Sequence, residues 1–161
     1  WEEIMSYLSE GMQAPDFELV DTQDVLIRLS NYFGKSRIYL TFNRGFTCPF
    51  CQRHMTQLKR DYAGFVQRNV EVLVVGPDDL FSFKRYWQQE NMPMVGLADV
   101  KSRIAALYNQ DVNWVKLGRM PAQFVIGLSG KICYAHYGQS MRDITDNEAV
   151  LALIDALPDG G

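Results

Sequence analysis

Ile38-Tyr39-Leu40-Thr41-Phe42-Asn43-Arg44-Gly45-Phe46-Thr47-Cys48-Pro49-Phe50-Cys51 is the stretch on which the reading of this chain turns. Its first five residues are a compact β-rich run, Asn43-Arg44-Gly45 breaks it, and Met55, Leu58, Tyr62, Phe65 and Val66 then recur at helical spacing. Two thiols three residues apart therefore stand between a buried strand and the start of an amphipathic helix. At a helix start, unpaired backbone N–H groups and the macrodipole stabilise a thiolate, which makes Cys48 the expected nucleophile. Cys51 lies about one turn further on and is the expected resolving partner. Pro49 suits the first turn, where its missing N–H costs little.

A CxxC pair is also half of a structural zinc site, and two inert buried thiols are a third reading. Only Cys133, His54 and His136 remain to complete a zinc set, and no second CxxC or HxxxH follows at finger-like spacing. The strand-then-helix context favours a cycling disulfide, with no metal. His54 falls one turn after Cys51, where a structural or solvated role is favoured over acid/base chemistry. Cys133, in a strand, reads as a small buried hydrophobe.

Working outward, Val70 to Val75 is a second apolar run, so strand, helix and strand form a βαβ unit expected to be right-handed. Before it, Phe17 and Leu19, then Leu26, Ile27 and Leu29, read as two short strands around Asp21-Thr22-Gln23-Asp24. Ile4, Met5 and Leu8 share a face ahead of Gly11 and suggest a short N-terminal helix. After it, Asp78-Asp79 caps a helix carrying Phe81, Phe83, Tyr86 and Trp87, an aromatic cluster expected in the core. Val95 to Leu97 is extended, and Ile104, Ala105, Leu107 and Tyr108 mark another helix. Phe124-Val125-Ile126 and Ile132 to Tyr137 flank the hairpin signal Ser129-Gly130, and Asp146 to Leu157 carries a final helical stripe.

A chain of 161 residues with 47% apolar content can bury one proper core, so residues 1–161 are expected to form a single domain. A net charge of −3 without any Lys/Arg run disfavours nucleic acid and acidic membrane surfaces as partners. No stretch is long and apolar enough to span a bilayer. Three cysteines fit a reducing compartment better than a secreted disulfide framework, and the cytoplasm is the expected location.

Several segments together carry a resemblance: Gly11-Met12-Gln13-Ala14-Pro15-Asp16-Phe17-Glu18-Leu19, Leu29-Ser30 with Tyr32 and Gly34-Lys35, the strand into Phe42 through Cys51, Asp78 to Asp99, and Phe124-Val125-Ile126 before Gly130. From about residue 11 to 157 the chain resembles the alkyl hydroperoxide reductase/thiol-specific antioxidant family, the peroxiredoxin-like proteins of the thioredoxin-fold superfamily. The resemblance implies an α/β thioredoxin-like fold, a central mixed sheet flanked by helices, with an extra N-terminal helix or hairpin. It implies reduction of hydroperoxides through Cys48 and Cys51 without metal or organic cofactor, an external dithiol reductant such as a thioredoxin-like protein, and a homodimer. The alternative is thioredoxin-like reduction of protein disulfides by the same CxxC; a non-catalytic redox-sensing module is the third reading.

The chain also departs from the family pattern. A Thr or Ser three residues before the peroxidatic Cys, and a Pro seven before it, are usual there. With Cys51 in that place the positions hold Cys48 and Arg44, and with Cys48 they hold Gly45 and Thr41. The family's second Arg is replaced by Pro121, which a disulfide reductase would place as a cis-proline facing the CxxC. The missing Thr matters because lowering a thiol pKa from about 8.5 to about 7 gains only about 3-fold at neutral pH: roughly 16-fold more thiolate, less roughly 5-fold in nucleophilicity. The rest must come from donors aligned on the peroxide oxygens, for which Thr47, Arg44 and the backbone N–H groups near Cys48 are the local candidates, with Arg119 as a second guanidinium.

Overall fold

The computed structural model describes residues 7–110, 112–113 and 118–161. The expected N-terminal helix falls largely on residues 1–6, outside the described residues; Leu8 packs against the core. The first elements are β1 (Glu18–Val20) and β2 (Leu26–Arg28), an antiparallel pair matching the expected hairpin. A 3-10 turn over Leu29–Tyr32 leads into β3 (Arg37–Phe42), α1 (Pro49–Gln67) and β4 (Val70–Gly76). Then come α2 (Leu80–Gln89), β5 (Val95–Ala98) and α3 (Arg103–Leu107). The chain closes with β6 (Val112–Asn113), β7 (Gly118–Arg119), β8 (Ala122–Ile126), β9 (Ile132–Tyr137) and α4 (Asn147–Asp155).

Five strands form the central mixed sheet in the order β5-β4-β3-β8-β9, with β3, β4 and β5 parallel and β8 and β9 antiparallel. Alternation along β3 divides the core between the two faces of the sheet. Ile38, Leu40 and Phe42 join Leu73, Val75, Phe124 and Ile126 under Phe17, Leu29, Ile104 and Tyr108. Tyr39 joins Val72, Val74 and Val125 under Met55, Leu58 and Phe65 of α1, Phe83 and Trp87 of α2, and Val150 and Ile154 of α4. Both β3 and β4 are buried on two faces, as their continuous apolar runs require.

Helix boundaries follow local chemistry. The Asp79 side chain accepts from the Ser82 N–H at 2.8 Å and caps α2. Asn69, with φ +55°, ends α1 in the left-handed region, which Asn tolerates better than most residues. Two expectations need correction. Phe81 is 75% exposed, because it lies on the solvent side of α2 while Phe83 and Trp87 take the core side. The small antiparallel pair β6–β7 was not anticipated; each of its strands is only two residues long.

Candidate active site

The break after β3 is a built turn. Asn43 leaves the strand with its backbone N–H on the Val75 carbonyl, and its side-chain Oδ1 accepts from the Gly45 N–H at 3.1 Å. Gly76 has to be glycine for this, because a Cβ there would lie 2.4 Å from Asn43 Oδ1. Gly45 adopts φ +118°, and a Cβ on it would press on the Asp78 carboxylate. That carboxylate accepts from the Phe46 N–H at 3.1 Å, and the Gly45 carbonyl accepts from the Cys48 N–H at 3.3 Å. The turn delivers Cys48 to the N-cap of α1 in extended conformation, with Pro49 opening the helix.

Both thiols are free and buried, and they face different partners. The Arg44 guanidinium donates through Nη1 to Cys48 Sγ at 3.4 Å, while the Arg44 backbone N–H donates to Cys51 Sγ at 3.3 Å. Burial alone would raise the Cys48 pKa; donation from the Cys51 backbone N–H, the Arg44 guanidinium, the Cys51 thiol and the Phe50 N–H outweighs it and holds this thiol below the usual cysteine range. For Cys51 burial wins, and its pKa is pushed up to about 12, with the Arg44 backbone N–H offsetting only part and the Cys48 charge adding to the rise. The site therefore pairs one thiol disposed to ionise with one disposed to keep its proton.

Arg44 also reaches across the site. Its Nε donates to the Arg119 carbonyl, so the residue that orients the thiolate is braced by the segment entering β8. Arg119 contributes that carbonyl, and Arg44 is the arginine at the sulfur. Thr47 is exposed and supplies no hydrogen bond to either sulfur; it lines an adjoining cleft of about 440 Å³ with Phe46, Asp78 and Tyr86. Phe46 stacks on Tyr86 with ring centres 4.2 Å apart, giving that cleft an aromatic wall.

Pro121 is buried beside the site, but the expected cis bond is absent: no cis peptide bond occurs among the described residues. The segment turns toward the site through carbonyls instead, Arg119 accepting from Arg44 and Met120 from Gln110 Nε2 at 2.8 Å, while Pro121 accepts from the Gly138 N–H. Cys133 lies beside Ile132, which pairs with Ile126 and so with the Ile38 end of β3. That is the opposite end of the sheet from Cys48, about 13 Å away along the strand, beyond disulfide reach. Its pKa is raised by burial. His54 is 3% exposed with its pKa pushed down to about 4 by burial, and is thus not solvated. Among the described residues no three His, Cys, Asp or Glu side chains come together as a metal-ligand set, and no helix is long and apolar enough to cross a membrane.

Sequence reasoning passed over Asn43, Gly45 and Asp78, which shape the turn; the Asn-Arg-Gly break was the available signal. Comparison with known proteins places this architecture. The chain is 28% identical over 123 residues to thiol-disulfide oxidoreductase ResA of Geobacillus kaustophilus, covering 76% of this chain and 66% of that protein. It is 23% identical over 99 residues to peroxiredoxin Bcp of Bacillus subtilis, covering 62% of each. The chain thus spans slightly less than two thirds of the length of these relatives. The crystal structure of peroxidoxin BcpB from Mycobacterium tuberculosis superposes with a TM-score of 0.83 at 19% identity, over 95% of this chain and 100% of that one, a likeness of fold. The AhpC/TSA family model matches residues 11–135, spanning the turn, both thiols and the central sheet as far as the middle of β9, and this chain belongs to that family.

Proposed function

We propose that the protein is a thiol peroxidase in which Cys48 reduces hydroperoxides and Cys51 resolves the product. The observation that carries this reading is the opposed ionisation of two neighbouring thiols, with the Arg44 guanidinium 3.4 Å from the thiol of lower pKa. The Cys48 thiolate attacks the terminal peroxide oxygen, the O–O bond breaks, and the leaving oxygen takes a proton to depart as alcohol or water, leaving Cys48 as sulfenic acid. Arg44 is placed to stabilise the charge developing on that oxygen. The Cys51 thiol then attacks the sulfenic sulfur, water departs, and a Cys48–Cys51 disulfide remains for an external dithiol, such as a thioredoxin-like protein, to reduce.

The experiment is single-turnover oxidation of the reduced protein by hydrogen peroxide, with Cys48→Ser and Cys51→Ser alongside and intact mass followed over time. Fast loss of two hydrogens in the wild type and a trapped sulfenic acid in Cys51→Ser are expected. Oxidation no faster than that of a free thiol overturns the reading. Likeness to ResA supports a second one, reduction of protein disulfides by the same pair; rapid exchange with a disulfide protein alongside slow peroxide oxidation would select it.

A further inference from the structure

Gln110 is a buried residue whose side-chain amide joins two stretches of main chain next to the active site. Its place is built from the end of β5. The Asp99 N–H donates to the Gly76 carbonyl at 2.8 Å, and the Asp99 carboxylate accepts from the Ile104 and Ala105 N–H groups, which fixes the start of α3. Asn109, at φ +55°, reverses the chain after that helix, and the Gln110 N–H returns to the Ala105 carbonyl at 2.9 Å. From there Gln110 Nε2 donates to the Met120 carbonyl at 2.8 Å and to the Asn43 carbonyl at 3.4 Å.

Those two carbonyls flank the residues that hold the donor to the thiolate. Asn43 precedes Arg44, and Met120 follows Arg119, whose carbonyl accepts from Arg44 Nε. A guanidinium is planar, so the bond at Nε fixes the direction in which Nη1 points. Nη1 is the group that donates to Cys48 Sγ at 3.4 Å. A shift of residues 119–120 relative to residue 43 would therefore break the contact at one end of the guanidinium or the other. Gln110 opposes that shift by holding both segments with one amide.

The amide stands there at an energetic cost. Gln110 Oε1 and Asn43 Nδ2 are buried without a hydrogen-bond partner. Neither amide gains by turning over: the Gln110 oxygen would then face two carbonyls, and Asn43 Nδ2 would face the Gly45 N–H from which Asn43 Oδ1 now accepts. A methionine would fill the same length with no stranded oxygen, so what glutamine supplies is the grip on the two carbonyls.

We propose that Gln110 is a positioning residue of the active site, holding the Arg44 guanidinium on Cys48 Sγ by clamping together the two segments to which Arg44 is tied. The inference rests on the peroxidase reading only for what the Cys48 thiolate attacks, and the ionisation of that thiol is measured without a substrate.

The test is the pH profile of Cys48 alkylation by iodoacetamide, followed by peptide mass mapping, in Gln110→Met and in Gln110→Leu, two apolar replacements of which either suffices if it folds. Each is expected to slow Cys48 alkylation at pH 7 about 2-fold or more and to move the midpoint of the profile upward, with Cys133 unchanged. Gln123→Leu, which strands buried groups elsewhere in the sheet, is expected to leave the profile in place, and so separates positioning from lost stability. In an Arg44→Gln background, Gln110→Met is expected to slow alkylation no further, because the group it positions is gone. A wild-type profile in a folded Gln110 variant, or equal slowing with and without Arg44, overturns the role. If the profile shifts as expected while the wild type reacts with hydrogen peroxide no faster than a free thiol does, the positioning role stands and the peroxidase alone is overturned.

Discussion

Cys48 and Cys51 are the same residue three positions apart, and their difference comes from what each sulfur receives. Cys48 gains a guanidinium and helix-end N–H groups, whereas Cys51 gains one backbone N–H and the cost of burial. At neutral pH iodoacetamide is therefore expected to alkylate Cys48 before Cys51 or Cys133, read by peptide mass mapping. Arg44→Gln removes the charged donor; at roughly 1.5–3 kcal/mol for a hydrogen bond to a charged group, alkylation and peroxide oxidation are expected to slow at least about 10-fold. His54 makes a separate prediction about stability. Its folded pKa is depressed to about 4 by burial, while the unfolded chain takes up the proton near the ordinary value of 6.5. The unfolded state therefore binds more protons between those values, and stability, complete above about pH 6.5, falls by about 3 kcal/mol as the pH drops toward 4. Urea denaturation at pH 7 and pH 4.5 should show this fall, and His54→Gln should remove most of it.

At the scale of elements, the turn from β3 into α1 decides where the thiols stand, and its geometry depends on Gly45. Gly45→Ala puts a side chain at φ +118° and against the Asp78 carboxylate, which also holds the Phe46 N–H. A cost of about 1–3 kcal/mol follows, lowering Tm by about 2–4 °C per kcal/mol for a chain of this size. Slower Cys48 alkylation is expected with it; a variant with unchanged Tm and alkylation would show that the turn is not under this constraint. The elements themselves were legible. Each strand of the central sheet and each of the four helices stood at an apolar run, and Asp79 stood where a cap belongs. The partners of the site were not. Arg44 meets Cys48 because a left-handed glycine reverses the chain between them, and an unbroken strand would have aimed it elsewhere. His54 is buried because the β9–α4 connection, some ninety residues later, folds over that stripe of α1, so helical spacing alone left it free to be solvated.

At the scale of the whole molecule, the active-site helix and the β9–α4 connection are joined to one sheet, and a buried glutamine in its centre ties them. Gln123 on β8 is fully buried; its Nε2 donates to Tyr39 Oη on β3 and to the Thr145 carbonyl at 3.1 Å, and its Oε1 accepts from the Thr145 N–H. Tyr39 in turn stacks on Phe65 of α1, with ring centres 5.2 Å apart, and burial raises its pKa. One side chain thus fixes the β9–α4 connection against the central sheet. Gln123→Leu keeps the bulk but strands a tyrosine hydroxyl and both backbone groups of Thr145, so a loss of about 2–4 kcal/mol is expected. Calorimetry should then show Tm lower by roughly 4–16 °C. Cys48 alkylation in the folded variant is expected to match the wild type, because no hydrogen bond to either sulfur passes through Gln123; slower alkylation would show that the loss reaches the thiols.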